Sequence, residues 1–243
     1  MHNLPDSIID FHTHILPALD DGPADCRTAA QMLVKLYEQG VTHAVSTSHF
    51  YKYEESAEGF IKRRSKAYNE LCAYLAAEHM THVPDIILGA EVYFTEDLIN
   101  DPDLEKLCIG NTNYILIELP YTRLTNDLTD SFRRLAACGR VRPVLAHLER
   151  YAAYADEETL FELLSIAPAQ INCESILSAP ACRLAARLLK SERVAAIGSD
   201  CHNMSSRAPA YAEARKKLSR RLGAGVFSSL MESSAAILTN NDI

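Results

Sequence analysis

Short apolar runs alternate with longer amphipathic stretches along this chain, a pattern that predicts strands followed by helices. Residues 8–11 form the first strand, and from about 25 to 39 Ala29, Leu33, Leu36 and Tyr37 recur on one stripe of a helix that Gly40 stops. Residues 43–47 are the next strand. A charged helix then spans 55–79, with Phe60, Ala67, Leu71, Tyr74 and Leu75 as its buried face. Residues 85–93 and 114–119 follow as strands, then a helix over 127–138 closed by Gly139. Strands at 141–146, 170–173 and 194–198 bring the expected total to seven, with helices near 157–166 and 180–190 and a mostly helical tail from Pro209.

This alternation implies an α/β fold on a parallel sheet. Polar residues able to bind metal end nearly every apolar run. In an open doubly wound sheet ligands gather at one switch point, so a site fed by so many strand ends favours a closed barrel. No linker, repeat or low-complexity segment divides the chain, and residues 1–243 read as a single domain.

Composition narrows the function classes. A formal net charge of -8 argues against a generic nucleic-acid groove. No run approaches the ~18 apolar residues of a membrane span, and the first residues lack the layout of a signal peptide. The seven cysteines are scattered, with no CxxC spacing, which suits a reducing cytoplasm. Cys201 lies between Asp200 and His202, and alternation turns it away from both.

The segment Asp10-Phe11-His12-Thr13-His14 carries the most chemistry. On a strand, His12 and His14 project side by side, an arrangement suited to a transition metal. His49, Glu91, Glu118, His147, Asp200 and His202 end later apolar runs, and Asp20 follows the first. These nine candidates exceed one zinc site and suit two or three clustered ions. Each lone His could instead be a hydrogen-bonded structural residue, and Asp20-Asp21-Gly22-Pro23 could be a turn before a helix. Glu91 and Glu118 are harder to set aside, because a carboxylate in so apolar a strand needs a metal or an Arg. His2, His43, His79 and His82 stand away from strand ends and are expected to be non-ligands. Arg150 follows His147 by three residues and is a candidate phosphate ligand, with a carboxylate-paired surface residue as the alternative.

The HxH start, a later strand-end Glu and the closing Asp-x-His resemble the polymerase-and-histidinol-phosphatase (PHP) superfamily of metal phosphoesterases. More narrowly, the chain resembles the capsule-type (CpsB/YwqE) bacterial protein-tyrosine phosphatases. The similar blocks are His12-Thr13-His14, Asp20-Asp21-Gly22-Pro23, Ser46-Thr47-Ser48-His49, Gly89-Ala90-Glu91-Val92-Tyr93, Ile117-Glu118-Leu119, Ala146-His147-Leu148-Glu149-Arg150-Tyr151 and Ser199-Asp200-Cys201-His202-Asn203.

That resemblance implies a distorted seven-stranded (β/α)7 TIM-like barrel with a trinuclear centre, usually served by Mn²⁺, with Fe, Zn²⁺, Co²⁺ or Mg²⁺ as alternatives. It places His12, His14, Glu91 and Asp200 around one ion, and Glu91, Glu118 and His147 around a second. Asp20, His49 and His202 would hold the third. Arg150 and Arg207 would bind phosphate, and His202 could supply a proton. The implied activity is phosphotyrosine hydrolysis on the tyrosine-rich tail of a bacterial tyrosine kinase tied to polysaccharide export. A small phosphomonoester such as histidinol phosphate, or a non-catalytic metal-bound module, remains an alternative. Lys62, Arg63, Arg64 and Lys66 could dock an acidic tail, or could simply form a solvated helix face.

Overall fold

Strand formation follows the apolar runs. In the computed structural model, which describes residues 7–179 and 181–243, β1 (Ile9–Thr13), β6 (Tyr114–Glu118), β8 (Ala169–Asn172) and β9 (Val194–Gly198) are buried at every position. Sheets covered on both faces need continuous rather than alternating apolar residues, and those of β6 and β9 show it. His2 and Pro180, the first residue of the helix expected at 180–190, lie outside the described residues.

Where seven strands were expected, nine form among the described residues, in two wholly parallel sheets. The remainder are β2 (His43–Ser46), β3 (His49–Phe50), β4 (Asp85–Leu88), β5 (Glu91–Tyr93) and β7 (Arg142–Leu145). One sheet runs β1-β2-β4 and the other β3-β5-β6-β7-β8-β9. The discrepancy has two sources, each with a bend from the first sheet to the second: the run at 85–93 divides into β4 and β5, and the run at 43–47 ends as β2 and is followed by the short β3 outside it. The bends are in register, since Gly89 N donates to Ser46 O at 2.8 Å and Glu91 N lies 3.0 Å from Thr47 O. Bending frees the Gly89 carbonyl from the ladder, and the buried Arg64 guanidinium donates to it at 2.6 Å. His49 and Glu91 thereby begin new strands beside each other, paired in register.

The end of β9 lies against β1. Asp200 N donates to His12 O at 2.8 Å, His14 N donates to Cys201 O at 3.0 Å, and Thr13 bridges Cys201 in parallel. Gly198 permits this approach: a Cβ there would stand 2.4 Å from the Cβ of His12.

The helices fall close to expectation. Asp25 caps α1 (Cys26–Glu38) through Thr28 N at 2.7 Å, and Gly40 after it sits at φ 88°. Ser56 caps α2 (Ala57–Ala77), and Thr125 caps α3 (Asn126–Ala137). Next come α4 (Glu157–Ile166), α5 (Cys173–Leu177), α6 (Ala181–Leu189), α7 (Tyr211–Leu222) and α8 (Ala224–Leu238). The short α5 was not expected from the pattern. No described helix is long and apolar enough to cross a membrane.

Candidate metal centre

His12 and His14 point from the same face of β1, and both are fully buried. Partners on the far side of each ring set the protonation pattern. Gln170 Oε1 lies 3.1 Å from His12 Nδ1, and Asp20 Oδ2 lies 2.7 Å from His14 Nδ1. With each Nδ1 engaged by an oxygen, the Nε2 atoms face inward. These two Nε2 atoms stand 3.1 Å apart, and the surrounding carboxylates raise the pKa of both rings against the effect of burial, so the pocket favours positive charge.

Two carboxylates complete the group. Glu91 Oε2 is 3.2 Å from both Nε2 atoms, and Asp200 Oδ1 is 3.7 Å from that of His12 and 3.5 Å from that of His14. Four donors held at ~2.1 Å around one ion would stand ~3.4 Å apart in a tetrahedron. Five of the six pairwise separations bracket that value. His12, His14 and Asp200 are grouped closely enough to share one divalent ion, and Glu91 groups with His12 and His147.

The donors continue outward from Glu91. His147 Nε2 lies 2.6 Å from Glu91 Oε1 and 3.6 Å from Glu118 Oε1, while His49 Nδ1 lies 3.1 Å from Glu91 Oε2. Burial, reinforced by the charge of Glu91, pushes the Glu118 carboxyl up to about 8. Burial acts the same way on Glu91, but the imidazoles of His12, His14 and His147 more than reverse it. A third group gathers His14, Asp21, His49 and His202, with Asp21 Oδ1 3.1 Å from His202 Nε2 and 3.6 Å from His49 Nε2. The Nε2 of His202 and the Nδ1 of His49 are buried without any hydrogen-bond partner, again as metal donors would be.

At one position the structure departs from the sequence expectation. Asp20, expected beside His49 and His202, stands behind His14 instead. Its Oδ2 faces His14 Nδ1 and also accepts from His49 N at 3.0 Å, and its Oδ1 accepts from Gly22 N at 3.0 Å. Both oxygens of Asp20 are occupied, and the more exposed Asp21 is the one whose carboxylate reaches His49 and His202. Adjacent Asp residues in a turn give no periodicity by which to choose between them.

His202 turns its Nε2 toward Asp21 Oδ1 at 3.1 Å. Its Nδ1 is bonded to the Asp200 carbonyl at 3.0 Å, and burial beside His14 pushes its pKa down to about 4. Cys201 is fully buried, and burial pushes its thiol up, which excludes a resting thiolate.

Arg150 and Arg207 flank Asp200, each with an Nη2 2.7 Å from one of its oxygens. Both line an open cleft of about 500 Å³ whose floor includes His49, Glu91 and Glu118. Tyr51, Tyr53, Tyr93 and Tyr121 stand along it. Of the basic run on α2, Arg64 is buried on Gly89, Arg63 pairs with Glu55, and Lys66 lies 3.7 Å from Glu70. That disposition removes Arg64 from the run's surface, while Lys62, Arg63 and Lys66 stay exposed.

Several contributors have no signature in the pattern of strand ends. Gln170 and Asn172 share one face of the buried β8. Gln170 Oε1 also accepts from His147 N at 2.9 Å, and its Nε2 donates to Asn172 Oδ1 at 2.8 Å. Asn172 Nδ2 in turn donates to Asp200 Oδ2 at 2.7 Å. These amides orient donors on β1 and on the segments after β7 and β9 at once. Two amides at i and i+2 in an apolar strand were the available signal. His147 and Asp200 adopt positive φ of 31° and 52°, backbone strain of a kind that collects at functional sites.

Comparison with known proteins agrees with this geometry. The family model described as "Capsular polysaccharide synthesis, CpsB/CapC" matches residues 8–239. The tyrosine-protein phosphatase CpsB of Streptococcus agalactiae serotype V is 30% identical over 250 residues, covering 97% of this chain and 100% of the relative. The tyrosine-protein phosphatase YwqE of Bacillus subtilis (strain 168) is 29% identical over 249 residues, covering 97% and 93%. A solved structure from work on YwqE of Bacillus subtilis and CpsB of Streptococcus pneumoniae, described as unique metal-dependent tyrosine phosphatases, matches with a TM-score of 0.83. Its identity is 26%, with 97% of this chain and 96% of that chain covered. A phosphotriesterase homology protein of Escherichia coli, at 10% identity and a TM-score of 0.57, shares the fold alone.

Proposed function

The chain belongs to the capsular polysaccharide synthesis CpsB/CapC family, and from that membership we propose that it is a metal-dependent protein-tyrosine phosphatase of capsule synthesis. The observation that carries this reading is the close inward pair of His12 and His14 Nε2 atoms, flanked by Glu91 and Asp200 beneath two arginines. His12, His14, Glu91 and Asp200 would hold one ion and Glu91, Glu118 and His147 a second. Asp21, His49 and His202 would hold a third. Mn²⁺ suits the mixed nitrogen and oxygen donors, and Fe, Zn²⁺, Co²⁺ and Mg²⁺ are the competitors. Ions bound there would supply Lewis acidity toward phosphoryl oxygens and a lowered pKa for water.

The remaining chemistry lies with the protein's own groups. Arg150 and Arg207 present planar forks to the cleft, matched to the oxygens of a phosphate monoester, and can stabilise charge as it builds on them. In the structure both forks rest on Asp200, a carboxylate that would share them with substrate. A phenolate leaves with pKa ≈ 10, so departure needs less proton assistance than an alkoxide would.

Counting β2 with β3 and β4 with β5 as bent single strands, we read residues 1–243 as one domain built on a distorted seven-stranded (β/α)7 ring. The hydrogen bonds from the end of β9 to β1 support that reading. The expected substrate is the phosphorylated, tyrosine-rich tail of a bacterial tyrosine kinase, met in the cytoplasm. Seven unpaired cysteines suit such a reducing compartment.

The test is phosphate release after chelation and again after Mn²⁺ addition. Phosphotyrosine peptide, phosphoserine peptide and histidinol phosphate should be offered side by side. Restored turnover that favours phosphotyrosine is expected. Preference for histidinol phosphate would transfer the assignment to small metabolites, and absence of turnover with every ester would remove the enzymatic reading.

A further inference from the structure

The tyrosines at the mouth of the cleft are not needed to build the metal centre. Tyr51, Tyr53 and Tyr93 form one cluster, with ring centroids 5.5 Å (Tyr51–Tyr53), 5.6 Å (Tyr51–Tyr93) and 6.1 Å (Tyr53–Tyr93) apart. Three mutually packed aromatic rings would ordinarily bury themselves in a core. Here the cluster stays open, and Tyr53 is 67% exposed.

The segment bearing Tyr51 and Tyr53 is fastened on both sides. Lys52 Nζ, between them, donates to Asp97 O at 2.7 Å and lies 2.9 Å from Asp97 Oδ2. Glu54 N closes a turn on Tyr51 O at 3.0 Å. Glu55 pairs with Arg63, which also donates to Leu19 O at 3.1 Å. The rings therefore form a preorganised surface, whose use in binding carries little ordering cost.

Its position relative to the donors defines what it can receive. Tyr51 stacks on His49 with centroids 5.4 Å apart, so the aromatic surface begins one ring beyond the metal donors. Arg150 and Arg207 line the same cleft and would hold the phosphoryl group at its floor. An aromatic ring joined to that group through a single ester oxygen comes alongside the tyrosines. The short methylene of an alkyl phosphate such as phosphoserine brings no ring to that depth.

We propose that Tyr53, together with Tyr51 and Tyr93, is an aryl-recognition wall that selects aromatic over alkyl phosphate esters by packing against the substrate ring. The proposal rests on the phosphatase reading and adds to it the residues that choose the ester. An edge-to-face or offset-stacked pair contributes enough to shift affinity by about threefold to tenfold.

The test uses the Mn²⁺-loaded full chain and Tyr53→Ala, whose exposed site leaves the core untouched. KM for a phosphotyrosine peptide is expected to rise by about threefold to tenfold. The inhibition constant of inorganic phosphate, which has no ring, is expected to stay fixed, and Tyr53→Phe is expected to restore the lower KM. An unchanged KM in both Tyr53→Ala and Tyr93→Leu would overturn the wall. So would a rise in KM matched by an equal loss of phosphate inhibition, which would locate the damage at the floor. Should the wild type turn over no ester, the phosphatase reading fails separately. Calorimetric binding of phenylphosphonate against methylphosphonate then decides the wall, with equal affinities overturning it.

Discussion

Asp20 and Asp21 are neighbours in one turn, yet they face different tasks. Asp20 holds the Nδ1 side of His14, whereas Asp21 reaches His49 and His202. Removing a group that orients a metal donor typically reduces affinity or activity by ~10–100-fold without deleting a donor. Asp20→Ala should therefore lower Mn²⁺-dependent turnover within that range while elemental analysis still finds the wild-type metal content at saturating Mn²⁺. Asp21→Ala should lower the metal content itself, and equal content in both variants would refute the division. Asp10 offers a second test at this scale. It is wholly buried, and burial pushes its carboxyl up to about 7 against the bonds it accepts from Ser199 N and His12 N. From pH 3.8 to about 7 the unfolded chain has lost this proton while the folded chain keeps it, so stability falls as pH rises through that window. Asp10→Asn removes the penalty. In metal-stripped protein its melting temperature relative to wild type should climb across the window, and a constant offset would show that Asp10 is not the cause. The sequence disclosed His12 and His14 through strand alternation, but the roles of Asp20, Gln170 and Asn172 depend on which atom of a distant ring each one faces.

Elements in this fold are positioned by the breaks between them as much as by their own patterns. The apolar content of 43–47 and 85–93 marks both as strands, and β2 fills nearly all of the first while β4 occupies the first half of the second. What the pattern does not carry is the bend, because an apolar run reads the same whether its ladder partner is β1 or β6. The bend needs Gly89 at the crossing, where an added Cβ would stand 3.2 Å from Ile109, and Arg64 beneath it. An Arg on the buried face of a helix was the visible clue, and it read as one more member of a basic run. Its guanidinium also lies 5.5 Å from the Phe60 ring centre. Arg64→Met keeps most of the volume and removes the donor, leaving the Gly89 carbonyl buried and unpaired. A loss of about 1–3 kcal/mol in unfolding free energy is expected from denaturant titration. Because the bend aims Glu91, turnover should fall as well. A variant as stable as wild type would mean that water or another donor meets that carbonyl.

Across the whole molecule, parallel strands point their ends in one direction, and this made the centre legible before its geometry was known. The donors arrive from β1, β3, β5 and β6 and from the segments after β7 and β9, while β8 supplies the amides that steer them. One set of ions would therefore join the ends of both sheets. It would also neutralise the carboxylates of Glu91, Glu118 and Asp200, nearly buried in a chain of formal charge -8. Without ions these carboxylates must face one another at reduced dielectric, and the Glu118 carboxyl responds by holding its proton to about 8. Binding that favours the folded state adds ~2.7 kcal/mol when free metal is 100 times its dissociation constant. For a chain of this length each kcal/mol moves the melting temperature by ~2–4 °C. Chelation should thus lower the melting temperature by ~5–10 °C per strongly held ion, and Mn²⁺ should restore it. His14→Ala should blunt the restoration, since it removes a donor that two of the groups share. A melting temperature indifferent to chelator in the wild type, with metal shown to have left, would mean that the strand ends hold their geometry without ions. The close Nε2 atoms of His12 and His14 would then be held together by their protons and the neighbouring carboxylates.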